Sequence, residues 1–312
     1  MLNMPHPIQY QGSKRIIAPV ILRYFPKPID VLYEPFAGSA AISIASAARG
    51  MANSYVINDL NKPLAELLKA IVEKPEETAS AYEKIWCGQG STNSIEHYYR
   101  IREEFNKTQD PRLFLYLLAR CVKGSVRYNA DGLFNQSPDK RRLGTKPDTM
   151  KQNIFGVSHL LKGKSSFSCL DYKDVLVAAR PQDLVYMDPP YQGVCGDRDS
   201  RYLSGVCFSE FTEALENLNS RDIAYIVSYD GRRGDKKFGE LLPDELNLCR
   251  VEIEAGKSTQ ATLLGKEEVT YESLYLSRSL LEKLALVPTD FKKTKIKQFT
   301  LFEPSSAYTR IT

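Results

Sequence analysis

Four consecutive residues, Asp188-Pro189-Pro190-Tyr191, place several hydrogen-bond acceptors beside an aromatic ring. They follow the apolar run 183–187, which predicts a buried strand, and ligands of parallel α/β sheets bind beyond the carboxyl ends of strands. Because proline lacks a backbone N–H, this turn presents carbonyl oxygens and a carboxylate as acceptors. A planar heterocycle with an exocyclic amino group matches these acceptors, and Tyr191 is suited to stack on its ring. The alternative is a strand end that binds nothing.

A glycine turn predicts a second part of the same site. The stretch Glu34-Pro35-Phe36-Ala37-Gly38 ends the predicted strand 31–34 and precedes a predicted helix over 40–49. Its glycine permits positive φ and the close approach of a ligand to the N-terminus of that helix. Asp59 stands 21 residues after Gly38, at the end of the next predicted strand. A carboxylate at this spacing accepts hydrogen bonds from both hydroxyls of an adenosine ribose.

The glycine pattern also limits the ligand. The chain has no further glycines in dinucleotide spacing after Gly38 and no phosphate-binding P-loop. A nucleoside without a pyrophosphate therefore fits better than NAD or ATP, and S-adenosylmethionine is such a nucleoside. For Asp59 taken alone, an exposed strand-end or helix-capping carboxylate is an equally good interpretation.

Length and composition indicate one globular body of enzyme size. The 312 residues are 43% hydrophobic, 26% charged and 10% aromatic, which excludes wholesale disorder, collagen-like repeats and a coiled coil. Six scattered cysteines form no Cys-x-x-Cys pair and only three histidines occur, so we expect buried, reduced thiols and no metal site. No leader-like or membrane-spanning apolar run is present, and we expect a cytoplasmic protein without a membrane partner.

Apolar runs that alternate with helical patterns predict a mixed, mainly parallel α/β sheet with helices on both faces. The helical periodicity over 75–118 and a turn-rich tetrapeptide, Asn129 to Gly132, predict a helical insertion followed by a β-hairpin. The predicted strands are 31–34, 54–57, 166–170, 183–187, 224–228, 248–253 and 271–276. The predicted units are a catalytic domain over 1–72 and 163–284, an inserted target-recognition subdomain over 73–162, and a basic tail over 285–312.

Positive charge is concentrated in one region. Between Arg112 and Lys151 nine basic residues stand against three acidic ones, a local charge of +6 compared with +4 for the whole chain. This excess favours a polyphosphate partner, although a solvated surface is the commoner reason for such a run. Arg127 is the predicted base-reading residue, because a guanidinium pairs with both guanine acceptors; a structural ion pair is the alternative. The predicted phosphate contacts are Lys123, Arg141, Arg142 and Lys146.

Several motifs, in their order along the chain, resemble the Dam-like N6-adenine DNA methyltransferases. They are residues 9–14, 34–38, 58–59, 124–129, 188–191 and 228–230, and the similarity covers about residues 7–278. The resemblance implies a Rossmann-like methyltransferase fold, S-adenosylmethionine as the cofactor and double-stranded DNA in the bacterial cytoplasm or nucleoid as the partner. The implied reaction is methyl transfer to a flipped adenine.

The resemblance also suggests residue roles. It implies that Asp188, Pro189, Pro190 and Tyr191 hold the flipped adenine, and that residues 171–172 lie against the adenine ring of the cofactor. The implied cofactor-binding residues are Tyr10, Gln11, Gly12, Lys14, Glu34, Pro35, Phe36, Gly38, Asp59, Leu60, Asp171, Tyr172 and Asp188. Together with the charge pattern, the implied DNA-binding residues are Lys123, Arg127, Tyr128, Asn129, Arg141, Arg142 and Lys146.

The sequence departs from the family pattern at two places, and only the second leaves a point open. Gly38-Ser39-Ala40 keeps only the first glycine of the usual pair. Val122-Lys123 replaces an aromatic-asparagine pair before the hairpin, which leaves the recognised DNA sequence undetermined. The same motifs would serve an N4-cytosine DNA methyltransferase, or an RNA or protein-amide methyltransferase. An inactive nucleic-acid-binding homologue is a further alternative, and a role as the modification enzyme of a restriction-modification system is compatible with the motifs.

The C-terminal tail contains a short motif of its own. The stretch Gln298-Phe299-Thr300-Leu301-Phe302 follows the lysine-rich residues 292–297 and resembles the Gln-x-x-Leu-Phe peptides that bind bacterial sliding clamps. In that hypothesis Leu301 and Phe302 enter an apolar groove and Gln298 makes directional hydrogen bonds. The alternative is a short edge strand that packs on the body of the protein.

Overall fold

A computed structural model describes residues 4–90, 93–190, 206–233, 236–238, 241–257 and 269–285. The strands within these ranges are β1 Val31–Glu34, β2 Ser54–Asn58, β3 Ser165–Ser168, β4 Leu184–Met187, β5 Ala224–Arg233, β6 Lys236–Phe238, β7 Cys249–Lys257 and β8 Val269–Leu276. They form one sheet in the order β3-β2-β1-β4-β5-β8-β7, and β6 pairs with β5 beside this path. Strands β1 to β5 are parallel, whereas β8 is antiparallel to both β5 and β7. The predicted mixed α/β sheet is confirmed.

Several helices of the described residues begin with a proline or with a capping side chain. Their bounds are α1 Ala18–Ile21, α2 Ala41–Ala47, α3 Lys62–Glu73, α4 Pro75–Gly88, α5 Ser94–Thr108, α6 Pro111–Arg120, α7 Pro147–Leu161, α8 Tyr172–Val177, α9 Phe208–Ser220 and α10 Arg278–Lys283. Proline begins α4, α6 and α7, where its missing N–H costs no helical hydrogen bond. The side chains of Asn93, Asp110 and Ser277 accept a backbone N–H in the first turns of α5, α6 and α10.

Side-chain alternation along the strands divides the core into two layers. Leu184 and Tyr186 of β4 belong to a cluster that includes residues of α1 to α7 and α10. Val185 and Met187 belong to a second cluster with residues of α8 and α9. All four residues of β4 are buried, which explains why this strand is a continuous apolar run rather than an alternating one.

The helices α4 to α7 occupy the region of the predicted insertion. They pack against one another and against α3, and their apolar side chains share the larger cluster with one face of the sheet. Phe105 and Phe114 stack with 4.8 Å between ring centroids, and Phe134 lies perpendicular to both. The predicted helical character of this region is confirmed, while its boundaries as a subdomain over 73–162 stay a prediction.

The predicted hairpin is present as a short turn. Tyr128 and Phe134 form an antiparallel bridge, and the backbone N–H of Asn129 donates to the Leu133 carbonyl at 2.9 Å. The Asn129 side chain accepts from the Leu133 backbone N–H at 2.8 Å. Asparagine stabilises tight turns through such contacts, so Asn129 has a structural role at this position.

The expectation of buried thiols is wrong for three cysteines, and one basic residue of the positively charged region is buried. Arg120, one of the nine basic residues from Arg112 to Lys151, is only 1% exposed, and its guanidinium donates to the backbone carbonyl of Asp139. Its guanidinium therefore makes hydrogen bonds inside the helical region and does not contribute to an exposed basic surface. Among the described cysteines, Cys121 and Cys249 are buried as expected, whereas Cys87, Cys169 and Cys207 are exposed. Cys169 follows β3 and Cys207 precedes α9, so both stand where an element ends and the chain reaches the surface.

Some predicted features lie outside the described residues. These are Tyr191 and the hypothetical sliding-clamp residues Gln298, Leu301 and Phe302, together with the basic tail from residue 286 onward.

The segment 9–14 is held by residues that directly precede the hairpin. The backbone N–H of Gln11 donates to the Gly124 carbonyl at 2.9 Å, and Ser125 Oγ donates to Gln11 Oε1 at 2.5 Å. Gly124 has a φ of +60°, and a β-carbon there would lie 2.8 Å from the backbone carbonyl of Gln9. Both the backbone conformation and the available space therefore require glycine.

Replacing Gly124 by alanine should displace the segment 9–14. Gly132 is the matched control, because its φ is +72° but an added β-carbon would meet nothing within 4 Å. We expect Gly132→Ala to lower the free energy of unfolding by about 1 kcal/mol through backbone strain alone, and Gly124→Ala to lower it clearly further. Urea denaturation measures both losses. Equal losses would show that the close approach at Gly124 is unimportant.

Candidate active site

A cleft opens at the carboxyl ends of β1, β2 and β4. The strand order reverses between β1 and β4, since β2 and β3 lie on one side of β1 and β5 lies on the other side of β4. Such a reversal leaves a crevice above the sheet, which is where ligands of this class of fold bind. The empty space of the cleft, counted with its open mouth, is roughly 1340 Å³.

The predicted cofactor-binding residues all line this cleft. They are Tyr10, Gln11, Gly12, Lys14, Glu34, Pro35, Phe36, Gly38, Asp59, Leu60, Asp171, Tyr172 and Asp188. Pro189 and Pro190 line it as well, directly beyond the end of β4. The fold thus brings together segments that are remote in sequence, and the roles of their residues as ligand contacts remain predictions.

The Asp59 carboxylate is fixed by two backbone N–H groups. Gly38 donates to Oδ2 at 2.8 Å and Asn61 donates to Oδ1 at 2.9 Å. Burial raises the pKa of the Asp59 carboxyl, and the two donors act in the opposite direction. A carboxylate oxygen accepts two hydrogen bonds, so each oxygen retains capacity for a ligand hydroxyl. The Asn61 side chain accepts in turn from the Tyr128 hydroxyl at 3.1 Å, which connects the hairpin to this turn.

Part of the cleft is aromatic and apolar. The rings of Phe36 and Tyr172 lie 5.1 Å apart at 33°, and Phe211 of α9 lies edge-on to both. Leu60 and Leu170, which are 48% and 49% exposed, add apolar surface to the same cleft. A flat aromatic ligand suits such a surface.

Glu34, the last residue of β1, is a buried acid. It is 3% exposed and accepts hydrogen bonds from the backbone N–H of Ser43, at 3.0 Å, and from the Ser43 hydroxyl. Burial raises its pKa to about 7, and the negative charge of Asp188 contributes in the same direction.

Lys14 is the centre of a charge cluster. Its Nζ lies 3.1 Å from Asp188 Oδ1 and 2.9 Å from Glu272 Oε2, and its side chain is 8% exposed. The ammonium group fixes the Asp188 carboxylate at the start of the turn formed with Pro189 and Pro190. No sequence motif indicated Glu272. It lies on β8, an antiparallel strand whose approach to the cleft depends on how the second half of the sheet folds.

The predicted DNA-binding residues lie outside the lining of the cleft. Those with exposed side chains are Lys123, Arg127, Asn129, Arg141, Arg142 and Lys146. Arg142 Nε lies 3.4 Å from Asp139 Oδ2 in an ion pair whose arginine is 84% exposed and whose aspartate is 21% exposed. Tyr128 differs from the others because it is 6% exposed and donates to Asn61. Tyr128 therefore supports the turn after β2 that contains Asp59 and Asn61.

Two kinds of feature are absent from the part of the chain that the structure describes. No group of three or more His, Cys, Asp or Glu side chains there is arranged to hold a metal ion. No helix within the same residues is both long and apolar enough to cross a membrane.

The raised pKa of Glu34 predicts a pH-dependent stability. An acid that titrates near 7 in the folded state and near 4.5 when unfolded favours folding in its protonated form, so this contribution is lost as pH rises from 4.5 through 7. Relative to Glu34→Gln, the wild-type protein should therefore lose free energy of unfolding between pH 5 and pH 8 in urea titrations. Glu66→Gln, at an exposed acid of α3 paired with Lys62, controls for the substitution itself. A pH-independent difference between wild type and Glu34→Gln would contradict this assignment.

Comparisons with known proteins identify the family of the chain. Residues 10–255 match the family model of D12 class N6 adenine-specific DNA methyltransferases. The DNA adenine methylase of Escherichia coli (strain K12) is 30% identical over 230 residues, which cover 71% of this chain and 79% of that protein. The DNA adenine methylase of Salmonella typhi is 28% identical over the same shares. The DNA N-6-adenine-methyltransferase of Escherichia phage P1 is 28% identical over 59% of this chain and 24% of that protein. With most of its length covered by the family model, this chain belongs to the D12 class of N6 adenine-specific DNA methyltransferases.

Proposed function

We propose that the protein transfers a methyl group from S-adenosylmethionine to N6 of an adenine flipped out of double-stranded DNA. The observation that carries this proposal is the turn Asp188-Pro189-Pro190 at the end of β4. It lies in one cleft with Asp59 and with the aromatic rings of Phe36 and Tyr172. The family favours adenine over the cytosine, RNA and protein-amide alternatives. Because the substrate is DNA, we place the reaction in the bacterial cytoplasm or nucleoid.

The chemistry of the cleft residues fits S-adenosylmethionine. Asp59 retains acceptor capacity for the ribose hydroxyls, while Phe36 and Leu60 offer apolar contacts to the adenine ring. Acidic residues at the ends of β1, β2 and β4 complement a positively charged ligand. When bound, this cofactor supplies an electrophilic methyl group on a positively charged sulfur.

The turn after β4 acts on the amino group of the target adenine. That nitrogen is a poor nucleophile because its lone pair is delocalised into the ring. In the proposed complex one N–H donates to Asp188 and the other to the Pro189 carbonyl, which draws the nitrogen towards tetrahedral geometry and frees the lone pair. The prolines add no N–H donors of their own beside that nitrogen. Positioning and electrostatics therefore supply the acceleration, without a covalent enzyme intermediate.

DNA must be distorted before the adenine reaches Asp188. Chemistry on a paired base requires its extrusion from the duplex, which costs a few kcal/mol. We assign the stacking contact that offsets this cost to Tyr191, base reading to Arg127, and phosphate contacts to Lys123, Arg141, Arg142 and Lys146.

Methyl transfer with purified full-length protein tests the proposal. The substrates are tritiated S-adenosylmethionine and double-stranded DNA, and the modified nucleoside is identified after digestion. We expect the label in N6-methyladenine. Label found only in cytosine, RNA or protein would contradict the proposed reaction.

Substitution of Asp188 tests its catalytic role. Asp188→Ala removes an acceptor that acts in the transition state, so kcat should fall by a factor corresponding to about 3 kcal/mol or more, on the order of 100-fold. Cofactor affinity should change less. Asp59→Ala is the comparison, because it should mainly raise the KM for the cofactor. Wild-type kcat in Asp188→Ala would show that the assignment is wrong.

Substitution of Arg127 tests base reading. Arg127→Ala should relax the preference at one base pair of the recognised sequence by about 1–3 kcal/mol, because a bidentate contact to guanine is lost. Lys146→Ala should weaken binding to all sequences alike and give a shallower dependence on salt. Binding titrations across single-base variants of the site measure both effects. A uniform loss from Arg127→Ala would rule out the reading role.

A further inference from the structure

Glu272 contacts Lys14, a residue of the cleft lining, beside an irregularity in the sheet. The pairing of β5 with β8 shifts register between Ser228 and Gly231, so that Gly231 lies opposite Glu272. A β-carbon on Gly231 would lie 2.8 Å from the Tyr271 carbonyl, so the glycine permits a close approach of β8 at this point. This approach places an acid from the antiparallel half of the sheet beside a residue of the N-terminal segment.

One ammonium group is shared by two carboxylates in this cluster. Lys14 Nζ lies 2.9 Å from Glu272 and 3.1 Å from Asp188, so it is at least as close to Glu272 as to the proposed catalytic acid. The two acids are 20% and 21% exposed and Lys14 only 8%, so water screens these contacts less than it would at an open surface. The three side chains come from three separate parts of the chain.

The shared lysine affects how well Asp188 accepts hydrogen bonds. An ammonium group paired with Asp188 alone would neutralise much of its charge and compete with the adenine N–H for its oxygens. A second carboxylate on the same ammonium group draws Lys14 away and leaves more negative charge on Asp188. Loss of Glu272 would therefore strengthen the pair between Lys14 and Asp188 at the expense of the substrate.

We propose that Glu272 is a positioning residue for methyl transfer, which holds Lys14 so that Asp188 is free to exchange part of its contact with the lysine for the adenine amino group. This inference rests on the proposed function. Glu272 acts through Lys14 and needs no contact with either substrate. Its carboxylate charge matters for this role, and its packing volume does not.

The test measures turnover and cofactor binding separately for Glu272→Gln. At saturating DNA and cofactor, kcat for N6-methyladenine should fall about 10-fold or more, as for loss of a charge-assisted hydrogen bond, while the Kd of S-adenosylmethionine stays within about 3-fold. Glu272→Asp keeps the charge and should recover most of the lost kcat. Glu252→Gln is the matched control on the neighbouring strand β7, where the acid pairs with Arg250, and it should keep wild-type kcat.

Two results would overturn the inference. One is wild-type kcat in Glu272→Gln. The other is an equal fall of kcat in Glu272→Gln and Glu272→Asp together with weaker cofactor binding and a lower Tm, because that pattern is expected of a merely structural residue. A wild-type protein that forms no N6-methyladenine would instead contradict the proposed function, so the two failures are distinguishable.

Discussion

Three neighbouring strands, β1, β2 and β4, end at one edge of the sheet with the acids Glu34, Asp59 and Asp188. Burial raises the pKa of Glu34 and of Asp59, so the fold holds these acids against their preference for water. Each has a local partner: Ser43 donates to Glu34, backbone N–H groups donate to Asp59, and Lys14 pairs with Asp188. Among these partners only Lys14 carries a positive charge, and a ligand that carries positive charge therefore suits the cleft.

The cleft and the hairpin are joined by direct contacts. Gly124 allows the backbone of the segment 9–14 to pack beside the start of the hairpin, and the Tyr128 hydroxyl reaches Asn61 next to Asp59. Two of the segments that line the cleft are thus supported by residues adjacent to the predicted base-reading Arg127.

Candidate site residues were predictable from the sequence where they directly follow a predicted strand. Asp59 and Asp188 were predictable because polar residues directly after buried strands meet at one edge of a parallel sheet. Glu272 was not predictable, because the position of an acid within an antiparallel strand does not indicate that it lies near a site. Its contact with Lys14 depends on a register shift between β5 and β8. Burial of Arg120 and Tyr128 was also unpredictable, because local charge and turn patterns do not reveal how helices pack around them. The helical content over 75–118 was predictable from periodicity, whereas its sharing of one core with the sheet depends on tertiary contacts.

The proposed function requires that the turn after β4 binds the adenine amino group beside a cofactor held at Asp59. The most direct measurement is a structure of the full-length protein with duplex DNA and S-adenosylhomocysteine. We expect an extruded adenine whose N6 lies about 3 Å from both the Asp188 carboxylate and the Pro189 carbonyl, with the ribose of the cofactor at Asp59. An adenine amino group that contacts neither acceptor, or a cofactor bound outside this cleft, would contradict it.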